Sequence, residues 1–246
     1  MTAFRCALFF LALTLSAAEL KTASGHVIQY YLSLPHGWTA GKKWPVVIVI
    51  ESANRQFQQT AEVFENARKE KPFIIAVPLV ISNGGSSYRR VQAYHYSDTA
   101  WNEIEHAGGC NFDSEGIAAV VRDVHQLYGG EERYFLTGWE AGGHTVWPMI
   151  FQHPEVLRAA ALSGPNYAGR CLDDAGFSTN PARANLPVRI FQGTADAPNP
   201  YIKAQSEEAK RAAETHGFRN VSQITVPAKN HGPLAEEVLA FFAGVD

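Results

Sequence analysis

The chain has 246 residues, 46% of them apolar and 18% charged, with a formal net charge of −3. That length fits one α/β domain or at most two small ones, and the balance is that of a folded chain rather than a disordered one. With no broad basic field, nucleic acid and anionic membrane surfaces are poor first choices of partner.

Residues 1–18 read as an export leader. Met1 to Arg5 supplies a short positive segment and Cys6 to Leu15 an apolar run; Ser16-Ala17-Ala18 then offers the small residues that a signal peptidase reads before Glu19. The run is too short to span a bilayer as a mature helix, a retained anchor being the alternative. Cys6 lies inside the apolar run with no small-residue cleavage site before it, which argues against a lipid-modified N-terminus. The mature domain is then expected over residues 19–246, periplasmic or extracellular, with no membrane association once the leader is removed. Its two cysteines, Cys110 and Cys171, invite a disulfide in an oxidising compartment. Closing a loop of about sixty residues would stabilise the fold by roughly 3–4 kcal/mol. Two buried free thiols are the alternative.

His26 to Leu34 reads as an opening strand, ended by Pro35-His36-Gly37. Val46 to Ile50 is a β-branched run without alternation, the pattern of a strand covered on both faces. Phe57 to Lys69 has helical spacing, and Phe73 to Val80 is the next buried strand. Ser82 to Asn111, rich in Gly, Ser, Tyr and His, is expected to be a long irregular loop of the kind that carries function or flexibility. Asp113 or Ser114 is positioned to cap a helix reaching Tyr128, stopped by Gly129-Gly130. Strands follow at Tyr134 to Thr137, Ala159 to Leu162, Val188 to Gln192 and Val221 to Val226. Helices follow at Gly143 to Gln152, Tyr201 to Thr215 and Leu234 to Phe242. Strands alternating with helices predict one mostly parallel sheet of seven or eight strands, with helices on both faces. Ligands of such sheets sit at the carboxyl ends of the strands, so the loops there are the informative ones.

Three of these loops matter. Gly138-Trp139-Glu140-Ala141-Gly142, between a strand and a helix, is the G-x-S-x-G nucleophile elbow with glutamate in place of serine. Gly193-Thr194-Ala195-Asp196 follows a strand and offers an acid; Asn230-His231-Gly232 follows the last strand and offers a histidine. The order nucleophile, acid, histidine is that of the α/β-hydrolase fold.

With these residues in place the chain resembles the secreted polyhydroxybutyrate-depolymerase and feruloyl-esterase-like branch of the α/β hydrolases, from Val46 to the final helix. The family pattern L-T-G-x-S-A-G-G-H stands here as Leu136-Thr137-Gly138-Trp139-Glu140-Ala141-Gly142-Gly143-His144. The resemblance implies an α/β-hydrolase domain, Glu140, Asp196 and His231 at the catalytic positions, and a small or polymeric ester-like substrate. Where the family carries His-Gly and further glycines, this chain has Glu51-Ser52-Ala53-Asn54. An oxyanion hole needs one N–H from that loop and one from the residue after the nucleophile, here Ala53 and Ala141.

Several roles are open to a carboxylate at the elbow. Attack on an ester carbonyl would give a mixed anhydride, whereas displacement at an alkyl carbon would give an ester that water, activated by His231, then hydrolyses. Glu140 is alternatively a general base or an electrostatic partner that favours the His231 imidazolium, or a metal ligand with Asp196 and His231, although carboxylate–histidine pairs are more often salt bridges. No metal or other cofactor is expected. The remaining reading is a protein that has lost turnover and binds an ester-like or aromatic ligand. Trp139, Tyr94 and Trp101 are candidates for substrate contact, with His95 and Tyr96 beside them, or a packed surface loop. His144, four residues after Glu140, fits helix packing better than catalysis; Ser163 lacks an elbow, and Asp173 and Asp174 are second choices as acids.

Overall fold

The computed structural model describes residues 18–84, 93–196 and 200–245. The expected leader therefore lies outside the described residues, apart from Ala18. Eight strands form one sheet: β1 (Glu19–Thr22), β2 (Gln29–Ser33), β3 (Val46–Ile50), β4 (Ile74–Pro78), β5 (Tyr134–Trp139), β6 (Leu157–Ser163), β7 (Val188–Gly193) and β8 (Val221–Val226). Their order across the sheet is β1-β2-β4-β3-β5-β6-β7-β8. The first two strands run antiparallel, and every pairing from β4 to β8 is parallel. The sheet is thus mostly parallel, as the alternation of elements predicts.

The central strands are the ones without alternation. All five residues of β3 and all five of β4 are buried, because helices cover both faces and no side chain of these strands faces water. Helix α1 (Phe57–Arg68) packs against α6 (Ala235–Ala243) and against β2 and β4. Helix α3 (Gly109–Tyr128) packs on β4 and on α4 (Gly143–Gln152), which lies against β3, β5 and β6. The remaining helices are α2 (Asp98–Ala107) and α5 (Pro200–Thr215). No helix among the described residues is long and apolar enough to cross a membrane.

Three expectations change. The stretch from Ser82 to Asn111 is not wholly irregular, because Asp98–Ala107 forms α2. Ser97 caps it by accepting from the Ala100 N–H at 3.2 Å, and Ala100, Trp101 and Ile104 are buried. The following helix starts at Gly109 rather than at Asp113. The Asp113 carboxylate does not cap that helix but reaches across to accept from the Ile81 and Ser82 N–H groups. Glu19–Thr22 adds an edge strand that its polar composition conceals.

Cys110 and Cys171 form a disulfide, with their Cα atoms 5.3 Å apart. The bond ties the first turn of α3 to the segment after β6.

Candidate active site

Because β3, β5, β6, β7 and β8 are parallel, their carboxyl ends share one edge of the sheet. The elbow lies there. Glu140 has φ of +47°, a left-handed conformation that costs a residue with a side chain free energy and that persists only where the surroundings enforce it. Two close approaches do so. A Cβ on Gly142 would lie 2.6 Å from the Ile50 carbonyl oxygen, and one on Gly138 would lie 2.8 Å from a Val146 methyl group. Only glycine lets β5 and α4 come this close to β3, and the turn between them then projects the Glu140 side chain from the sheet edge.

The acid and histidine loops are stitched to each other. Ala195 N–H donates to the Lys229 carbonyl at 3.0 Å, and Ala228 N–H donates to Thr194 Oγ1 at 2.8 Å. From β6, the buried Ser163 hydroxyl donates to the Gly232 carbonyl at 2.6 Å. Asp196 Oδ2 lies 3.1 Å from His231 Nδ1 and also accepts from Gln192 Nε2 at 2.8 Å. A carboxylate only accepts, so Nδ1 carries the proton in the neutral ring and Nε2 is left as the base. Trp139 packs beside the ring, its indole centroid 5.5 Å from the imidazole and the two planes inclined at 59°.

The Glu140 carboxylate has a different partner. Its Oε2 accepts from the Ala53 N–H at 3.2 Å, and among the described residues no ion pair joins it to His231. Ala141, the next residue, is buried at the start of the turn. Two of the three residues expected at the catalytic positions, Asp196 and His231, are therefore in contact, while Glu140 meets the loop expected to supply an oxyanion donor. No grouping of three His, Cys, Asp or Glu side chains suited to a metal ion occurs among the described residues, so Glu140, Asp196 and His231 are not gathered as one ligand set.

Tyr94 and Trp101 do not form an open rim. Both are buried, at 8% and 4% exposure, in an edge-to-face cluster with Tyr96 that is completed by Phe112. The Tyr94 hydroxyl donates to the Val80 carbonyl at 2.7 Å, which fixes the cluster beneath the surface. His95 is exposed. His144 is half-buried with its Nδ1 unpartnered among the described residues; burial, reinforced by the Arg170 charge and opposed by Glu140, pushes its pKa down to about 4. It is therefore neutral near pH 7.

One residue at the site has no counterpart among the expected ones. Glu51, at the end of β3, is fully buried, and its carboxylate accepts from Ser52, Gln56, Thr60 and the indole N–H of Trp139. A charged residue closing a β-branched buried run was the available signal.

No family model matches the chain, and no curated protein is similar to it in sequence. Solved structures are. A Klebsiella pneumoniae protein described as a dienelactone hydrolase is 18% identical with a TM-score of 0.63, covering 92% of this chain and 98% of its own. The chain has the α/β-hydrolase fold. An S-formylglutathione hydrolase from Agrobacterium tumefaciens has a TM-score of 0.63 at 12% identity, with 92% of each chain covered. A poly(3-hydroxybutyrate) depolymerase from Bordetella parapertussis has a TM-score of 0.61 at 18% identity, covering 87% of this α/β-hydrolase-fold chain and 85% of its own.

Proposed function

We propose that the protein is an exported hydrolase in which Glu140 attacks an alkyl carbon and His231 then drives hydrolysis of the resulting enzyme ester. The observation that carries this is the hydrogen bond from Ala53 N–H to Glu140 Oε2. In an esterase that N–H is reserved for the carbonyl oxygen of the substrate. Here the side chain of the elbow residue takes it, so an incoming ester would find its oxyanion donor engaged. A donor placed on the elbow carboxylate itself is useful when the acyl carbon to be attacked is Glu140 Cδ.

The steps follow from that placement. Glu140 Oε1 attacks a saturated carbon, and the bond to the leaving group breaks with its electron pair, as halide or as the oxygen of an opened epoxide that takes up a proton from solvent water. Water gives a proton to His231 Nε2 and attacks Cδ of the glutamyl ester, while Asp196 holds the ring. The negative charge that develops on Oε2 lies against the Ala53 N–H, with Ala141 N–H as the second donor. Collapse expels the alkoxide, which takes the proton from His231, and leaves glutamic acid at position 140, which releases its proton to solvent to restore the carboxylate. The implied substrate is an alkyl halide or an epoxide, and the protein needs no cofactor for either step. Export is supported by the leader-like residues 1–18 and by the Cys110–Cys171 bond.

A second reading, a binding protein without turnover, is favoured by where the clefts lie. Three clefts among the described residues, of about 510, 100 and 520 Å³, are lined by other residues and not by Glu140, Asp196 or His231.

An electrophile of matching chemistry separates the two. With 1,2-epoxy-3-(4-nitrophenoxy)propane, the native protein should turn over. His231→Ala should retain an adduct that peptide mapping places on Glu140, and Glu140→Gln should take none. Neither an adduct nor diol from the native protein, together with no halide released from 1-bromobutane, would overturn the enzyme reading and leave the binding one.

A further inference from the structure

We infer that Glu51 is a positioning residue for the hydrolytic half of the reaction proposed above: its carboxylate holds the Trp139 indole so that the indole fixes the His231 ring. The inference rests on that reaction, but its geometry does not. Burying a carboxylate is costly unless donors surround it. Glu51 is fully buried, and donors do surround it. Oε1 accepts from Ser52 Oγ at 3.0 Å and from Gln56 N–H at 3.4 Å; Oε2 accepts from Thr60 Oγ1 and from Trp139 Nε1 at 3.3 Å. Two of these donors belong to the loop that carries Ala53, and one to the residue that precedes Glu140. The backbone carbonyl of Glu51 also accepts from Asn83 Nδ2 at 2.7 Å, which leaves the segment little freedom to shift.

Trp139 is the link. Its indole N–H points at Glu51 while the ring system lies 5.5 Å from His231, inclined at 59°. Asp196 holds the imidazole at Nδ1 and the tilted Trp139 ring packs beside it, so the two contacts together aim Nε2. Attack by Glu140 on an alkyl carbon does not use Nε2; activation of water does. Removing the Glu51 carboxylate should therefore separate the two half-reactions.

In Glu51→Gln the amide nitrogen and oxygen cannot both accept, so one donor, the indole or a hydroxyl, loses its partner. Labelling of Glu140 by 1,2-epoxy-3-(4-nitrophenoxy)propane should slow much less than release of the adduct. Release of the adduct should slow by about thirtyfold or more, as a misaimed base does. Trp139→Phe keeps a ring beside His231 without the N–H. If Glu51 acts through the indole, Glu51→Gln in the Trp139→Phe background should add little further loss, whereas additive losses would overturn the inference. A readout that needs no turnover is the NMR titration of the His231 ring. Its midpoint should move in Glu51→Gln and in Trp139→Phe but not in Thr60→Val, which removes a donor to the same carboxylate without touching the indole. An unmoved His231 midpoint in Trp139→Phe would overturn the inference whether or not the native protein is an enzyme.

Discussion

Glu140 combines two unfavourable choices, a left-handed backbone and a carboxylate against a hydrogen-bond donor that the fold ordinarily keeps for a ligand. Serine at that position would be shorter by the carboxylate group and would free the Ala53 N–H, with Asp196 and His231 still in contact. Glu140→Ser is therefore expected to gain hydrolysis of p-nitrophenyl acetate that the native protein lacks, by at least about tenfold over background, since one oxyanion donor alone is worth 10²–10³. Silence of Glu140→Ser toward both the acetate and the butyrate would mean that the Ala53 loop does not serve as an oxyanion hole. The site was half legible in the sequence for reasons visible at single residues. The glycines at 138 and 142 mark the elbow because a Val146 methyl group leaves no room for a Cβ at the first and the Ile50 backbone none at the second, and Asp196 and His231 follow strands in the right order. Glu51 stood out in the sequence only as a charge closing a buried run, since nothing local says that a strand-end glutamate will meet an indole 88 residues later.

Among the elements, the strands that read most clearly are those that lost their alternation, β3 and β4, because burial on both faces leaves apolar residues throughout. Elements held by contacts outside themselves were hidden. Glu19–Thr22 is a strand because it pairs with β2, and Asp98–Ala107 is a helix because Trp101, against Tyr94 and Tyr96, and Ile104 are buried. Asp113, whose position suggests a cap, instead holds the segment after β4 to α3. Burial pushes its pKa up to about 7, against the pull of its hydrogen bonds to Ile81 and Ser82. The sign follows: between about pH 4 and 7 the folded state keeps a proton that the unfolded chain releases, so this carboxyl's contribution is complete below pH 4 and is lost as pH rises through 7. The urea midpoint of the native protein should accordingly fall relative to that of Asp113→Asn between about pH 5 and 8. His144, neutral by burial, moves stability the other way below about pH 6, and comparing the two proteins at each pH cancels its effect. Parallel curves would mean that Asp113 titrates normally.

Over the whole molecule, the functional edge depends on loops drawn from distant parts of the sequence, and one covalent bond spans 61 residues of it. Cys110→Ala with Cys171→Ala should lower stability by about 4 kcal/mol, or roughly 10 °C in Tm for a domain of this size. An unchanged Tm in protein purified without reductant would show that the thiols are free in solution. The fold as a whole was legible because the alternation of strands and helices leaves few ways to cover a parallel sheet. Its chemistry was less so, because one side chain decides it. Chemical proteomics sorts proteins of this architecture with fluorophosphonates, which need a nucleophilic hydroxyl at the elbow. A carboxylate that already lies against the Ala53 N–H offers such reagents neither the attacking group nor a vacant donor. The protein would pass unlabelled through a screen built to find serine hydrolases of this fold, and would be insensitive to the inhibitors that such a screen produces.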